Sequence, residues 1–315
     1  MSSARVGTAA RKRVLIIANK SWEADPLSSV CLNPRVRPRG YDQWEATKPF
    51  SDPGGTRPAG AALARRCTCT TTSTIFEVWC IEDWMGEAKS RSSSLFKMSV
   101  LPKIFASGPA PDLVIAFGTA GFPDVDTANG CVVIGPDNFL YNPYRDSSGT
   151  DPNPEHWDDQ KLVETRLRSP SGASSIATFA IQPDLRLPIE ARLLPSPLNP
   201  ATPPFLLAAT NYVALSEINI TNYDDYTWTD AKAVTVCQTK VPDAPIGSVE
   251  TTHGLIRLQS EAPFIFVSGI TDRVGHFNSE VAPRSYAQNY VAAHNAGVAT
   301  VWMFPLIEQP HATKV

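Results

Sequence analysis

Several short runs along this chain are apolar throughout instead of alternating with polar residues. Arg13 to Asn19 reads RVLIIAN, Pro111 to Gly121 reads PDLVIAFGTAG and Gly130 to Gly135 reads GCVVIG. Phe205 to Asn211 (FLLAATN), Ala233 to Cys237 (AVTVC) and Phe264 to Asp272 (FIFVSGITD) follow. A strand with one wet face alternates, whereas a strand covered on both faces does not. These runs therefore predict a central sheet with helices packed on it. The second run is expected to end in a small-residue turn, Gly118 to Gly121. Helical spacing is weaker. Ser94 to Ser107 has it, with a proline inside. Arg284 to Glu308 has it most strongly: Tyr286, Tyr290, Ala293 and Val301, with Trp302, form one apolar stripe, and Pro283 suits a first helical turn.

Two stretches have no such periodicity. Asn33 to Thr74 carries Pro, Gly, Arg and the threonine cluster CTCTTTSTI, and Asp137 to Pro204 is rich in Pro, Asn, Asp and Ser. Loops of that length in a compact domain are lids, interface segments or disordered. Absent a repeat or a linker, the organisation expected is a disordered tail at 1–12 and a single domain at 13–315, with insertions at about 31–74 and 137–204.

Composition narrows the function classes. The 315 residues are 43% apolar and 19% charged, which is ample for a sizeable core. A net charge of −3 argues against a non-specific nucleic-acid binder, which carries a basic surplus. No apolar run approaches the roughly 18 to 20 residues of a membrane helix. The basic, acid-free start MSSARVGTAARKR reads as a tail, with a transit peptide as the other reading. Six scattered cysteines, two of them in the tight Cys67-Thr68-Cys69, lack metal or redox spacing and read as reduced thiols of an intracellular, cytoplasmic protein.

The last apolar run stops on Thr271-Asp272-Arg273. A carboxylate where a strand leaves the core either caps the next helix or handles a proton. Glu23, in NKSWE after the first strand, is either a loop acid at a helix start or a second catalytic carboxylate. The small residues Thr119, Ala120 and Gly121 allow backbone to approach a ligand closely. Asn211 and Tyr212 stand at the end of FLLAATNY, and Tyr212 is either a stacking platform or a core ring. Asp224, Asp225 and Asp230 do not fit a calcium loop and read as a polar loop or helix start before AVTVC. His253, His276 and His294 lack metal spacing, and no GxSxG elbow is present. No metal and no cofactor is expected.

Three of these segments together, VLIIANKSWEADPL, PDLVIAFGTAGFP with GCVVIG, and SVETTHGLI with PFIFVSGITDRVG, resemble the nucleoside phosphorylase/nucleosidase superfamily, which includes purine nucleoside phosphorylases and methylthioadenosine/adenosylhomocysteine nucleosidases. The resemblance covers about half of the chain. It implies a three-layer α/β/α sandwich around a central mixed, partly closed β-sheet. It implies cleavage of the N-glycosidic bond of a purine nucleoside, with Asp272 as the acid on the leaving base and Glu23 acting on water. It further implies a small-molecule substrate, a homo-oligomer (dimer or trimer), and no nucleic-acid or membrane partner. Thr119 to Gly121, Asn211, Tyr212, Glu250, Thr251, Thr252, His253 and Thr271 fall where that family lines its pocket.

The match breaks at one place. The family's Val-Glu-Met-Glu is here Val249-Glu250-Thr251-Thr252, so Thr252 stands where the second Glu would hold ribose hydroxyls. Glu250 or His253 would have to substitute. The phosphorylases' arginines are also missing from ANKSWEADP and DLVIAF, which favours hydrolysis over phosphorolysis. A relative turned to a non-nucleoside substrate, by cyclisation or elimination, and a non-catalytic storage or binding protein are the other readings.

Overall fold

A computed structural model describes residues 10–46, 65–84, 94–123, 128–141, 165–169, 176–177, 180–208, 210–214, 246–280 and 286–309, with short pieces between 230 and 242. The chain opens with β1 (Lys12–Ala18), α1 (Ser21–Leu32), β2 (Trp44–Ala46), β3 (Cys67–Thr70) and β4 (Thr74–Cys80). It continues through α2 (Ser94–Phe105), β5 (Leu113–Phe122), β6 (Val132–Gly135), β7 (Asn138–Tyr141) and β8 (Thr165–Leu167). Next come α3 (Pro183–Glu190), β9 (Leu206–Ala208), β10 (Thr210–Ala214), β11 (Ile246–Glu250) and α4 (His253–Arg257). The last elements are β12 (Phe264–Arg273), α5 (Phe277–Glu280), α6 (Tyr286–Trp302) and α7 (Phe304–Glu308).

The strands form one mixed sheet in the order β2-β3-β4-β1-β5-β11-β10-β7-β8, and a branch leaves it at β5 through β12 to β6 and β9. β1 lies parallel between β4 and β5, and β12 runs parallel to β5 from Phe264 opposite Val114 to Arg273 opposite Phe122. The sheet is branched and not closed among the described strands: β2, β8 and β9 each have one neighbour there. All of the inner-strand positions Val14 to Ala18 and Phe264 to Ile270 are buried, as strands covered on both faces require. One apolar cluster, with Val14, Ile16, Ile115 and Val267, lies under α1 and α6; the other, with Leu15, Ile17, Val114 and Phe266, lies under α2 and α4. The layered α/β fold expected from the apolar runs is thus observed.

Four local expectations are corrected. Gly118 to Gly121 is not a turn: β5 continues through Phe122 because β12 supplies a ladder partner for each of these residues. The threonine cluster in the first loop-like stretch is a hairpin, β3 with β4, since Thr and Cys fit a pleated surface. β4 is an inner strand that its charged Glu77 disguises; that carboxylate is neutralised by Arg13 at 2.9 Å and Arg65 at 2.5 Å. The described part of AVTVC, Val234 and Thr235, is not a strand. Residues 234–235 are helical, and Thr235 Oγ1 and Thr239 Oγ1 donate to the carbonyls of Ala231 and Thr235, four residues back. Ala231, Thr235 and Thr239 are exposed, so nothing there favours a buried strand. Finally, the predicted stripe on the last helix holds only in part: Ala293 and Val301 are buried, Tyr290 and Trp302 partly so. Tyr286 is exposed, and Ala292, Ala293, Ala296 and Val298 face the core. FLLAATN carries two strands, β9 and β10, with different partners. Pro283, Asp224, Asp225 and Cys237 lie outside the described residues, while the other five cysteines are buried free thiols.

Candidate active site

Glu23 sits in the first turn of α1, where a carboxylate is favoured by the helix dipole. Its side chain is only 4% exposed and reaches across to β5. Oε2 accepts the Lys20 amide at 2.9 Å, and Oε1 accepts both the Thr119 amide at 2.8 Å and the Thr119 hydroxyl at 2.9 Å. Thr119, expected to face a ligand, therefore holds Glu23. Burial is the main influence on this carboxyl and raises its pKa above the usual range, against the hydrogen bonds that lower it. Gly118 is what admits this arrangement: a Cβ there would lie 2.9 Å from Glu23 Oε1 and 3.0 Å from His253 Nε2.

Asp272 is a residue of β12, five positions before the first residue of α5. The two amides after it are committed elsewhere: Arg273 N donates to Glu280 Oε2 at 2.8 Å, and Val274 N to the Phe122 carbonyl at 2.9 Å. A register shift between Ile270 and Asp272 sets the carboxylate beside Gly121. There a Cβ would stand 3.2 Å from Asp272 Oδ2, so this glycine, too, makes room for an acid. Thr271 Oγ1 donates to Asp272 Oδ1 at 2.5 Å and lies 3.3 Å from the Ala120 carbonyl. Asp272 is 4% exposed. The Thr271 carbonyl accepts from Gln288 Nε2 on α6, which fixes the end of β12 against that helix.

The turn from β11 into α4 closes the site. Glu250 accepts the amides of Thr252 and, at 2.9 Å, of His253. His253 Nδ1 lies 3.5 Å from Ser268 Oγ, and its ring stacks on Phe266. Burial lowers the His253 pKa, so it is neutral at physiological pH. Thr252 does not face a ligand with its hydroxyl. Lys97 of α2, with no exposed surface, places Nζ 2.8 Å from the hydroxyls of both Thr251 and Thr252 and 3.0 Å from the Thr251 carbonyl. Nothing in the spacing of SLFKMSVLPKIF announced this lysine as part of the site.

Burial lowers the Lys97 pKa to about 7, with the negative field of Glu250 opposing the shift. The free amine fits as well as the ammonium, because a threonine hydroxyl can turn from acceptor to donor. The linkage has a definite sign. Between pH 7 and the unfolded value the unfolded chain holds a proton on Lys97 that the folded chain lacks, so this residue makes stability rise with pH there. The buried thiols, whose pKa values are raised, act in the opposite direction, so the variant has to be compared with the parent. Relative to Lys97→Met, the parent protein should gain stability from pH 7 to 10, by at most tenfold in the folding constant per pH unit. Urea midpoints of the two proteins at several pH values check this; a constant difference would show that the lysine does not titrate in that window.

Asp230, read from the sequence as part of a polar loop or helix start, is a fourth carboxyl of the same cluster. It is 6% exposed, and the charges of Asp272 and Glu250 act on it. Glu250 in turn acts on Glu23. Glu23, Glu250, Asp230 and Asp272 therefore form one electrostatic chain around the ends of β5, β11 and β12. The backbone of β10 sets Asn211 opposite Ser248 and Tyr212 opposite Val249, next to that chain. Nearby cations are engaged: Lys20 with Glu82 at 3.5 Å, and Arg66 with Asp83 and Asp25. Among the described residues no three His, Cys, Asp or Glu side chains gather as a metal site, and no helix is long and apolar enough to cross a membrane.

No protein-family model matches the chain, and no curated protein matches it. Solved structures do. A 5'-methylthioadenosine/S-adenosylhomocysteine nucleosidase from Neisseria meningitidis, in complex with methylthio-immucillin-A, aligns with a TM-score of 0.52 at 12% identity, over 93% of this chain and 98% of its own. A putative nucleosidase of the same type from Borrelia burgdorferi, bound to adenine, gives 0.54 at 9% identity, over 93% and 99%. Futalosine hydrolase of Helicobacter pylori gives 0.53 at 10% identity, over 94% and 98%. At such identities the likeness is one of fold: this chain has the α/β architecture of these nucleosidases over nearly its whole length.

Proposed function

We propose that this protein is an enzyme that hydrolyses the N-glycosidic bond of a purine nucleoside. Asp272 gives a proton to the ring nitrogen of the departing base as the C–N bond breaks. Water adds to the oxocarbenium-like sugar carbon, and Glu23 takes the proton that the water loses. The observation that carries this reading is the pair of buried carboxyls, each let in by a glycine of β5: Glu23 at Gly118 and Asp272 at Gly121. The raised pKa of Glu23 supports the base role, since a stronger base works nearer to neutral pH.

Hydrolysis is favoured over phosphorolysis because Lys20, Arg66 and Lys97 are engaged with protein groups. Incubation with methylthioadenosine, adenosylhomocysteine and adenosine should release free adenine from at least one of them, at a rate independent of added phosphate. A requirement for phosphate would overturn the hydrolytic assignment.

The second reading, a non-nucleoside substrate, has one observation of its own. The hydroxyl of Thr252 is held by Lys97, and both oxygens of Glu250 already accept amides. The likeness of fold to nucleosidases over 93% of the chain is why the nucleoside reading stands first. No base release from any nucleoside would move the assignment to the second.

A further inference from the structure

Lys97 has no part in the two-carboxyl scheme, yet it is a lysine of α2 with no exposed surface. Its Nζ meets the hydroxyls of Thr251 and Thr252, each at 2.8 Å, and the Thr251 carbonyl at 3.0 Å. These three contacts match the three protons of an ammonium, and a free amine keeps them by accepting from one hydroxyl. The anchor thus fixes α2 to the turn between β11 and α4 in either protonation state. Thr252 is gripped from two sides, because its amide donates to Glu250 Oε2 while its hydroxyl meets Lys97. The next residue is His253. Its amide donates to Glu250 Oε1 at 2.9 Å, its ring stacks on Phe266, and Nδ1 lies 3.5 Å from Ser268 Oγ. Ser268 stands opposite Gly118 in the ladder between β12 and β5. At Gly118 the turn reaches the proposed base. One point, where a Cβ of that residue would stand, is 3.0 Å from His253 Nε2 and 2.9 Å from Glu23 Oε1. The imidazole and the carboxylate therefore converge over a single residue of β5.

We propose that Lys97 is a positioning residue for Glu23: it pins the Thr251–Thr252 turn so that the His253 ring closes the space over Gly118 and keeps the carboxylate on the amides of Lys20 and Thr119. This rests on the proposed role of Glu23 toward water. A base works only where its oxygen meets the attacking water, and a small misplacement is costly. Without the anchor the turn loosens, the ring drifts from Gly118, and the carboxylate gains room to swing off β5.

The test reads amide hydrogen exchange in the full-length protein and in Lys97→Met, a substitution that keeps most of the side chain's volume and removes its hydrogen bonds. In the variant the amides of Thr252 and His253 should exchange about tenfold faster or more, over and above any change at Ile16 and Val267, whose common change measures general stability. The amides of Lys20 and Thr119 should follow them, because both donate to Glu23. Thr252→Val removes a single contact of Lys97 and should move the same four amides in the same direction by less, which keeps the proposal testable if the first variant fails to fold. With a nucleoside that is turned over, Lys97→Met should lower kcat about tenfold and leave KM within about threefold. A merely structural lysine would speed all the amides together and leave kcat per folded molecule unchanged. Faster exchange at Thr252 and His253 with Lys20 and Thr119 unmoved, or no local change at all, overturns the proposal. Exchange needs no substrate, so that outcome is distinct from a failure to release base, which would count against the proposed reaction alone.

Discussion

Asp272→Asn is expected to lower base release by about 10² to 10⁴-fold, the range associated with removing a positioned proton donor. The substitution is nearly isosteric. The amide oxygen of the new side chain would still accept the Thr271 hydroxyl that now lies 2.5 Å from Oδ1, and the group would still fit beside Gly121. What the change removes is an acidic proton, because an amide N–H does not protonate a leaving nitrogen. The thermal midpoint should therefore change little while the rate falls. Equal rates in the variant and the parent would remove Asp272 from the chemistry.

The largest effect on stability is expected at Gly269→Ala. β12 packs so closely on α6 that a Cβ at this position would lie 1.9 Å from the Ala292 carbonyl oxygen and 2.4 Å from its carbon. Both are backbone atoms and no rotamer change can clear them. Either α6 moves off the sheet or β12 leaves its register with β5. Overpacking of a well-filled core costs about 1–3 kcal/mol, occasionally more, and the absence of a flexible neighbour puts this site at or above the top of that range. A fall in the urea midpoint of that size, with an unchanged slope, is the expected result. The consequence extends to the site, because α6 also holds the end of β12 through Gln288 and packs on α1, which carries Glu23. An unaltered midpoint would mean that the sheet and helix are farther apart than described.

The central strands and Asp272 were legible for a shared physical reason. A strand buried on both faces shows itself as an unbroken apolar run, and a charged residue at the end of such a run is conspicuous, as Asp272 is after Phe264–Ile270. Glu23 was singled out through the resemblance to the nucleosidases, which place a Glu five residues beyond the small residue of the first strand, here Ala18. β4 was hidden because Glu77 breaks its run; Arg13, 64 positions away, with Arg65 and the Trp79 indole, makes that glutamate tolerable inside. AVTVC misled for the converse reason, since valine and threonine suit a strand, but Thr235 is exposed and Val234 only partly buried.

The remainder of the site was hidden because it depends on contacts between distant segments. Thr252 stood out as a mismatch, but that its hydroxyl is held by Lys97, 155 positions earlier, is a fact of tertiary packing. Asp230 looked like one acid in a polar stretch, and only its burial beside Asp272 and Glu250 sets it apart. Thr119 was read as part of a turn, but it lies on β5, and its hydrogen bonds go to Glu23.

The central claim is that water, directed by Glu23, replaces a base that leaves with a proton from Asp272. Turnover of a cleaved nucleoside in oxygen-18 water, without phosphate, tests it most directly. The account predicts that free base appears and that the sugar product carries one heavy oxygen at the former glycosidic carbon from the first turnover onward. Base release with an unlabelled sugar, or no release from any nucleoside, would contradict it.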